Sequence, residues 1–438
     1  MRILLVSANR ERLPSPVVPI GVLYVAAAVR DAHDVEVVDL CFADDPHEAL
    51  ARAIDAVRPD VVGLGLRNLH DNTYGPSEPI LRYYESLART VRGATRAPLV
   101  VGGAAVTLRP TALVERLEPD HLVVGEGEVA FREIVAALAR GGTPDRLLVA
   151  PAVLTRRRPL ADSPTLDTLA SPARDLVDPR YFEGDGTDVV QTKRGCAFQC
   201  TYCDYPDLEG RKIRLRDPSA VAREILACAS RPSVTHVFVV DAVFNVPRSH
   251  ALAVCRELVL RGSRVPWVCY VTPAGLDDEV AAAMAEAGCV GVEIGTDAGS
   301  ATTLARLKKP FAPSDVVSAQ RALRAHGILD CHTFILGTPG ETTAETEETL
   351  RFVDVLDPGV AVFVTATEDR EAKPIGQAPR REEILRILDA QARLRPRWVV
   401  PELGIRFGAR LTDLMRRRGV RGPTWLALAR TRARASIE

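Results

Sequence analysis

The chain has 438 residues, enough for two or three domains at about 150 residues each. Its 47% hydrophobic and 26% charged residues are those of a folded protein, and Lys+Arg of 56 against Asp+Glu of 57 leaves no positive excess for general nucleic-acid or anionic-membrane binding. The longest apolar run, Val17 to Val29, contains Pro19 and Gly21 and is too short to span a bilayer, and the opening MRILLVS lacks the pattern of a secretion signal.

Residues 1–140 alternate short apolar runs with helical periodicity. Strands are predicted at Arg2–Ser7, Val35–Asp39, Val61–Leu66, Pro98–Val101 and His121–Val124, with helices at Ile20–Arg30, Pro46–Val57, Glu78–Arg92, Thr111–Leu117 and Glu128–Arg140. This is the α/β pattern of a doubly wound parallel sheet, which binds ligands beyond the carboxyl ends of its strands. Glycines sit at those ends: Gly63, Gly65, Gly102, Gly103, Gly125 and Gly127. They permit close backbone approach to a ligand, and tight strand-to-helix turns account for them equally well.

Residues 141–187, rich in Pro, Arg and Asp, read as a linker. A second alternation follows over 188–367. Its strands are predicted at Asp188–Thr192, His236–Asp241, Pro266–Val271, Val290–Gly295, Cys331–Leu336 and Val360–Thr365, and its helices at Pro218–Ser230, Ser249–Arg261, Asp277–Ala287, Ser314–His326 and Thr343–Leu356. Six β/α units predict a partial (β/α)6 barrel with its chemistry at the strand carboxyl ends. Residues 368–438 read as mostly helical. From 378 to 438 there are fifteen arginines against six acidic residues, which suits a solvated face, an anionic substrate or a partner surface.

Nine cysteines without a secretion signal argue for reduced thiols in a cytoplasm. Three of them, Cys196, Cys200 and Cys203, follow the first barrel strand at C-x3-C-x2-C spacing. Three thiolates on one loop can hold three irons of a [4Fe–4S] cluster and leave the fourth open to react. A structural zinc normally takes four ligands, and no fourth Cys or His lies close in sequence.

That motif, after the first strand of a six-unit barrel, resembles the radical S-adenosylmethionine (SAM) superfamily. The resemblance implies that the open iron chelates SAM and that reductive cleavage yields a 5′-deoxyadenosyl radical. It places Tyr202 along the adenine and Asp241, ending the second strand, near the SAM amino group. It also places Glu293 and Asp297, in Glu293-Ile294-Gly295-Thr296-Asp297, at the ribose, and Gly337, in Gly337-Thr338-Pro339-Gly340-Glu341-Thr342, near the adenine.

The N-terminal half, with Pro19-Ile20-Gly21-Val22-Leu23-Tyr24, Gly102-Gly103 and Gly125-Glu126-Gly127-Glu128, resembles the Rossmann-like domain of the cobalamin (B12)-binding radical SAM subfamily. The resemblance offers Gly65, His70, Gly102, Gly103, Gly125, Glu126 and Gly127 to cobalamin. No Asp-x-His-x-x-Gly is present, so the cobalt takes no lower imidazole unless His70, in the polar Arg67–Tyr74 loop, supplies one. The expected reaction is cobalamin-dependent methyl transfer to an unactivated carbon, or to phosphorus, of a small-molecule or lipid-like substrate. A flavodoxin, ferredoxin or reductase would donate electrons. Rearrangement or cyclisation with the same cofactors, a cobalamin-free radical enzyme and a non-catalytic metal-binding scaffold are the alternatives. A methylthiotransferase would bring three further N-terminal cysteines, and this domain has Cys41 alone.

Overall fold

The computed structural model describes residues 1–70, 77–144, 147–149, 166–366, 381–406 and 408–435. Near the N-terminus, strands with apolar residues on both faces need helices on both sides. β1 (Arg2–Ser7), β2 (Asp34–Asp39), β3 (Val61–Gly65), β4 (Leu99–Gly102), β5 (His121–Val124) and β6 (Leu147–Val149) form one parallel sheet in the order β2-β1-β3-β4-β5-β6. Leu4, Val6, Val62, Leu64 and Val101 pack on one face with helices 46–57, 78–94 and 110–117. Ile3, Leu5, Val61, Val100 and Val123 pack on the other with helices 20–29 and 127–139. Full burial of one such side chain contributes roughly 1.5–3 kcal/mol, so both faces are held by the core. The strand order reverses between β1 and β3, the point at which such sheets open a crevice.

β6 places residues 147–149 in this sheet, not in the predicted linker. Residues 166–186 bind the two halves together. Arg30 forms a two-pronged ion pair with Asp175, and the Tyr181 hydroxyl donates to Asp39 at 2.8 Å.

The second sheet is parallel and open. β7 (Thr187–Val190) is followed by a short antiparallel pair, β8 (Lys193–Arg194) and β9 (Arg214–Leu215). Then come β10 (His236–Val239), β11 (Trp267–Val271), β12 (Cys289–Asp297), β13 (Leu329–Leu336), β14 (Val360–Thr365) and β15 (Trp398–Val399). The sheet order is β15-β14-β13-β12-β11-β10-β7. Six of its seven strands were legible as a six-unit partial barrel; the two-residue β15 extends its edge. On the convex side, Trp267, Cys269, Val292 and Ile294 pack under the helices. On the concave side, Val268, Cys331 and Val360 are covered by Trp425, Leu426 and Ala429 of the C-terminal helix Thr424–Ala435. The C-terminal region thus floors the barrel. No helix among the described residues is long and apolar enough to cross a membrane.

Candidate functional site

Immediately after β8 the chain turns through Gly195, whose φ is +93° and whose added Cβ would stand 2.3 Å from the Lys212 carbonyl oxygen. Only glycine fits there. The turn launches the loop carrying Cys196, Cys200 and Cys203. Backbone bonds fix it: Cys196 N–H donates to the Gly210 carbonyl at 3.1 Å, and Thr201 N–H to that of Leu307 at 3.1 Å. Glu209, pushed up to about 7 by burial, accepts from Gly195 N–H at 3.0 Å.

Burial, together with the charges that Cys200 and Cys196 would carry, pushes the Cys203 thiol up to about 11. A buried thiol such as Cys203, whose ionisation its neighbours oppose, belongs to a donor set that a multi-iron cation relieves. Among the described residues no three such side chains converge on a single metal ion.

At the carboxyl end of β12, Asp297 adopts φ +63°, an uncommon conformation for a non-glycine residue. Its Oδ2 accepts from the Tyr202 hydroxyl at 2.5 Å and pairs with Lys309 Nζ at 2.5 Å, and Lys309 reaches the Tyr202 hydroxyl at 3.1 Å. The segment that delivers Lys309 carries a second left-handed residue, Lys308 at φ +56°. Burial works against the Lys309 charge, but Asp297 and Cys200 outweigh it and hold the ammonium above its usual range. Strain of this kind concentrates where a side chain must be held in one place. The structure therefore joins Tyr202 and Asp297, both read from the sequence, through Lys309, which was not. Lys309 is one of only five lysines in an arginine-dominated chain, and that rarity was its only signal.

Gly337 follows β13 at φ +74°, in a turn pinned by Glu341, which accepts from Thr338 N–H and from the Thr338 and Thr346 hydroxyls. Asp241 stands just beyond β10, as expected, but its carboxylate is already occupied. It is fully buried, and its oxygens are taken by Thr192 N–H at 2.7 Å, the Thr192 hydroxyl at 2.5 Å and Lys193 Nζ at 2.9 Å. It ties β10 to the start of the cysteine loop and is not presented to a ligand. Glu293 departs from the strand end. It lies four residues before Asp297, about 13 Å down the strand, on the concave face, where Oε1 accepts from Trp425 Nε1 at 2.7 Å.

At the N-terminal sheet's carboxyl edge, packing accounts for most of the glycines. A Cβ on Gly65 would stand 2.9 Å from Val22, and one on Gly127 3.0 Å from Val25. Gly103, at φ +109°, would place it 2.4 Å from the Leu66 carbonyl oxygen. Gly102 would meet Val123 at an ordinary 3.4 Å, and Gly125 opens the turn after β5, its N–H donating to Thr107. Glu126 is spent on the barrel domain: Arg214 donates to it at 2.9 Å. Arg194 lies 3.4 Å from Glu126, donates to Glu128 at 2.6 Å and stacks over Tyr24. His70 is half-buried after β3; Asp71 to Tyr74 of its loop lie outside the described residues.

One polar atom at this edge points to a ligand. Asn9, just beyond β1, accepts through Oδ1 from Glu11 N–H and Asn68 Nδ2, and its own Nδ2 is buried with no partner among the described residues. An unmet buried donor costs about 1–3 kcal/mol, and an amide-rich ligand at the β1/β3 crevice would satisfy it. Helix 104–108, which follows β4, lies against helix 205–209, which follows the cysteine loop. The two carboxyl edges therefore face each other.

Comparison with known proteins agrees with this arrangement. Residues 6–135 match the B12 binding domain and residues 190–353 the radical SAM superfamily. The chain is 28% identical over 382 residues to an uncharacterized methyltransferase of Pyrococcus horikoshii, covering 84% of this chain and 81% of that one. It is 27% identical to the tryptophan 2-C-methyltransferase of Streptomyces laurentii, covering 82% and 70%. Its fold is similar to that of the radical SAM methyltransferase TsrM of Kitasatospora setae, solved with cobalamin and a [4Fe–4S] cluster, at a TM-score of 0.71 and 26% identity over 83% of this chain and 74% of that one. With both domains present in order on one chain and their ligand edges opposed, the protein belongs to the B12-binding-domain radical SAM enzymes.

Proposed function

We propose that the protein is a cobalamin-dependent radical SAM methyltransferase acting on an unactivated carbon of a small organic substrate. The observation that carries this reading is the opposition of the two sheet edges, cysteine loop on one side and Asn9 crevice on the other. When bound, the cluster and SAM supply a 5′-deoxyadenosyl radical, and cobalamin supplies the methyl group.

The chain's own residues bind and orient. Cys196, Cys200 and Cys203 each give one thiolate to the cluster. Tyr202, Asp297 and Lys309 form a rigid polar wall beside it for the ribose and carboxylate of SAM, with the Gly337 turn at the adenine. Asn9 donates its free amide N–H to cobalamin, with Gly102 and Gly125 at the same edge. His70 is the imidazole offered there. Arg194, joined to Glu126 and Glu128, ties the cysteine loop to the cobalamin edge. A flavodoxin- or ferredoxin-type protein or a reductase delivers the electron, and nine cysteines with no disulfide among the described residues suit the cytoplasm.

A labelling experiment tests this reading without knowledge of the substrate. Loaded anaerobically with cluster and cobalamin, reduced, and given methyl-labelled SAM, the protein is expected to place label in the corrin fraction. Corrin that stays bound but unlabelled contradicts the methyltransferase reading.

A further inference from the structure

The concave face of the barrel sheet holds one acid that the cofactor sites leave unused. Glu293 alternates with Val292 and Ile294, both packed under the convex helices, so its side chain points into the barrel. In register beside it lie Tyr270 on β11 and Cys331 on β13. Tyr270 is 36% exposed in spite of its position on a central strand, and its ring leans on Phe238 at 4.9 Å. Toward the carboxyl edge the same face continues with half-buried Gly295, Thr333, Ile335 and Val362. Below, Trp425 and Leu426 close the barrel: a Cβ on Gly291 would stand 2.6 Å from the Trp425 ring. The barrel interior, or chamber, is thus lined on this face by apolar and aromatic side chains, with one carboxyl group near the floor that Trp425 and Leu426 make.

Only half of that carboxyl group is used. Oε1 takes the Trp425 indole N–H, and Oε2 has no hydrogen-bond partner among the described residues. Oε2 is not fully enclosed by protein. The influences on its ionisation are burial, which raises its pKa, and the Trp425 hydrogen bond, which lowers it; no basic side chain contributes. An acid facing apolar walls without a counter-charge costs stability unless something satisfies it. Anchoring the C-terminal helix needs only an acceptor for the indole, which an amide would provide.

We propose that this chamber is the substrate site, and that Glu293 is its specificity-determining residue, reading an amine or other strong N–H donor on an otherwise apolar, aromatic-sized molecule. The ammonium sits on Oε2, the apolar body lies against Phe238 and Tyr270, and the far end is carried up the face toward the Asp297 level, where the reaction takes place. This rests on the two-cofactor methyltransferase reading and adds the substrate class to it.

The test uses the full chain loaded with cluster and cobalamin, with tryptamine and its neutral analogue 3-ethylindole as probes, by calorimetry at pH 8. Tryptamine should bind at least tenfold more tightly than 3-ethylindole. Glu293→Gln, which keeps an acceptor for Trp425, should bring the two within about twofold while leaving 3-ethylindole unchanged. Trp425→Phe, which loosens the helix anchor and keeps the carboxyl, should retain the preference. Equal binding of the two probes by the wild type, binding of neither, or a preference that survives Glu293→Gln overturns the proposal. A failure to take up iron or corrin, read from the absorbance before any probe is added, strikes the two-cofactor reading itself, and the proposal falls with it.

Discussion

The two opposed sheet edges carry their signals in different chemistry. At the barrel edge the marked residues are side chains that do work: Cys196, Cys200 and Cys203 share one pinned loop, and Tyr202 and Asp297 meet at 2.5 Å. At the N-terminal edge the marked residues are mostly glycines, and Gly65, Gly103 and Gly127 are required by Val22, the Leu66 backbone and Val25. A pattern of side chains with defined donor and acceptor roles points to a ligand, whereas a pattern of glycines points first to close packing. The ligand signal at the N-terminal edge is instead a side chain no motif contains, Asn9.

Cutting the link between the edges should have the largest effect. Arg194→Met leaves Glu128 and Glu126 buried with a partner removed, and breaking such a group costs about 3–5 kcal/mol. Denaturant unfolding measures it, and unchanged stability would mean that the domains do not depend on this junction.

Glu293→Gln sharpens the contrast through pH. The folded state holds its proton up to about 7, the unfolded chain only to about 4.3. The folded state therefore binds more protons in that window, and this group's contribution falls as pH rises through it, then levels off above about 7. Between pH 5.5 and 8 the loss should be about 2 kcal/mol, and Glu293→Gln should abolish it. Melting curves of the two proteins across that range decide the matter.

Asp297→Ala removes the acceptor shared by Tyr202 and Lys309. It should weaken SAM binding tenfold or more and leave the iron content intact, since a hydrogen bond to a charged group contributes about 1.5–3 kcal/mol. Equilibrium binding with iron analysis on the same sample distinguishes this from loss of the cluster. At the glycine edge, Gly103→Ala should cost about 1–3 kcal/mol of stability before any question of cobalamin arises, because its φ is +109° and the Leu66 carbonyl oxygen blocks a Cβ. Gly102→Ala, which meets Val123 at 3.4 Å, should change the melting temperature little.

Much of the fold was legible because hydrophobic period and turn residues agree along the chain. β1, β5 and β14 fall on the predicted residues, and the cysteine loop follows the first barrel strand. β6 and β15, three and two residues long at sheet edges, are too short to show a period. The carboxylates were harder. Asp241 and Glu126 stand where their motifs put them, but their partners Lys193, Arg214 and Arg194 arrive by tertiary folding, and those partners decide what each carboxylate can do. The arginine excess of the C-terminal region is largely absorbed locally: Arg381 pairs with Glu402, Arg395 with Asp354, Arg397 with Asp357, and Arg406 donates to the Ala392 and Trp398 carbonyls.

If one chain holds a cluster and a corrin at facing edges, metal and corrin analysis after anaerobic loading with iron, sulfide and cobalamin will find both. About four irons and one corrin per chain are expected, with Cys196→Ala/Cys200→Ala/Cys203→Ala losing the iron and keeping the corrin. Wild-type protein with its full iron and no corrin would contradict this arrangement.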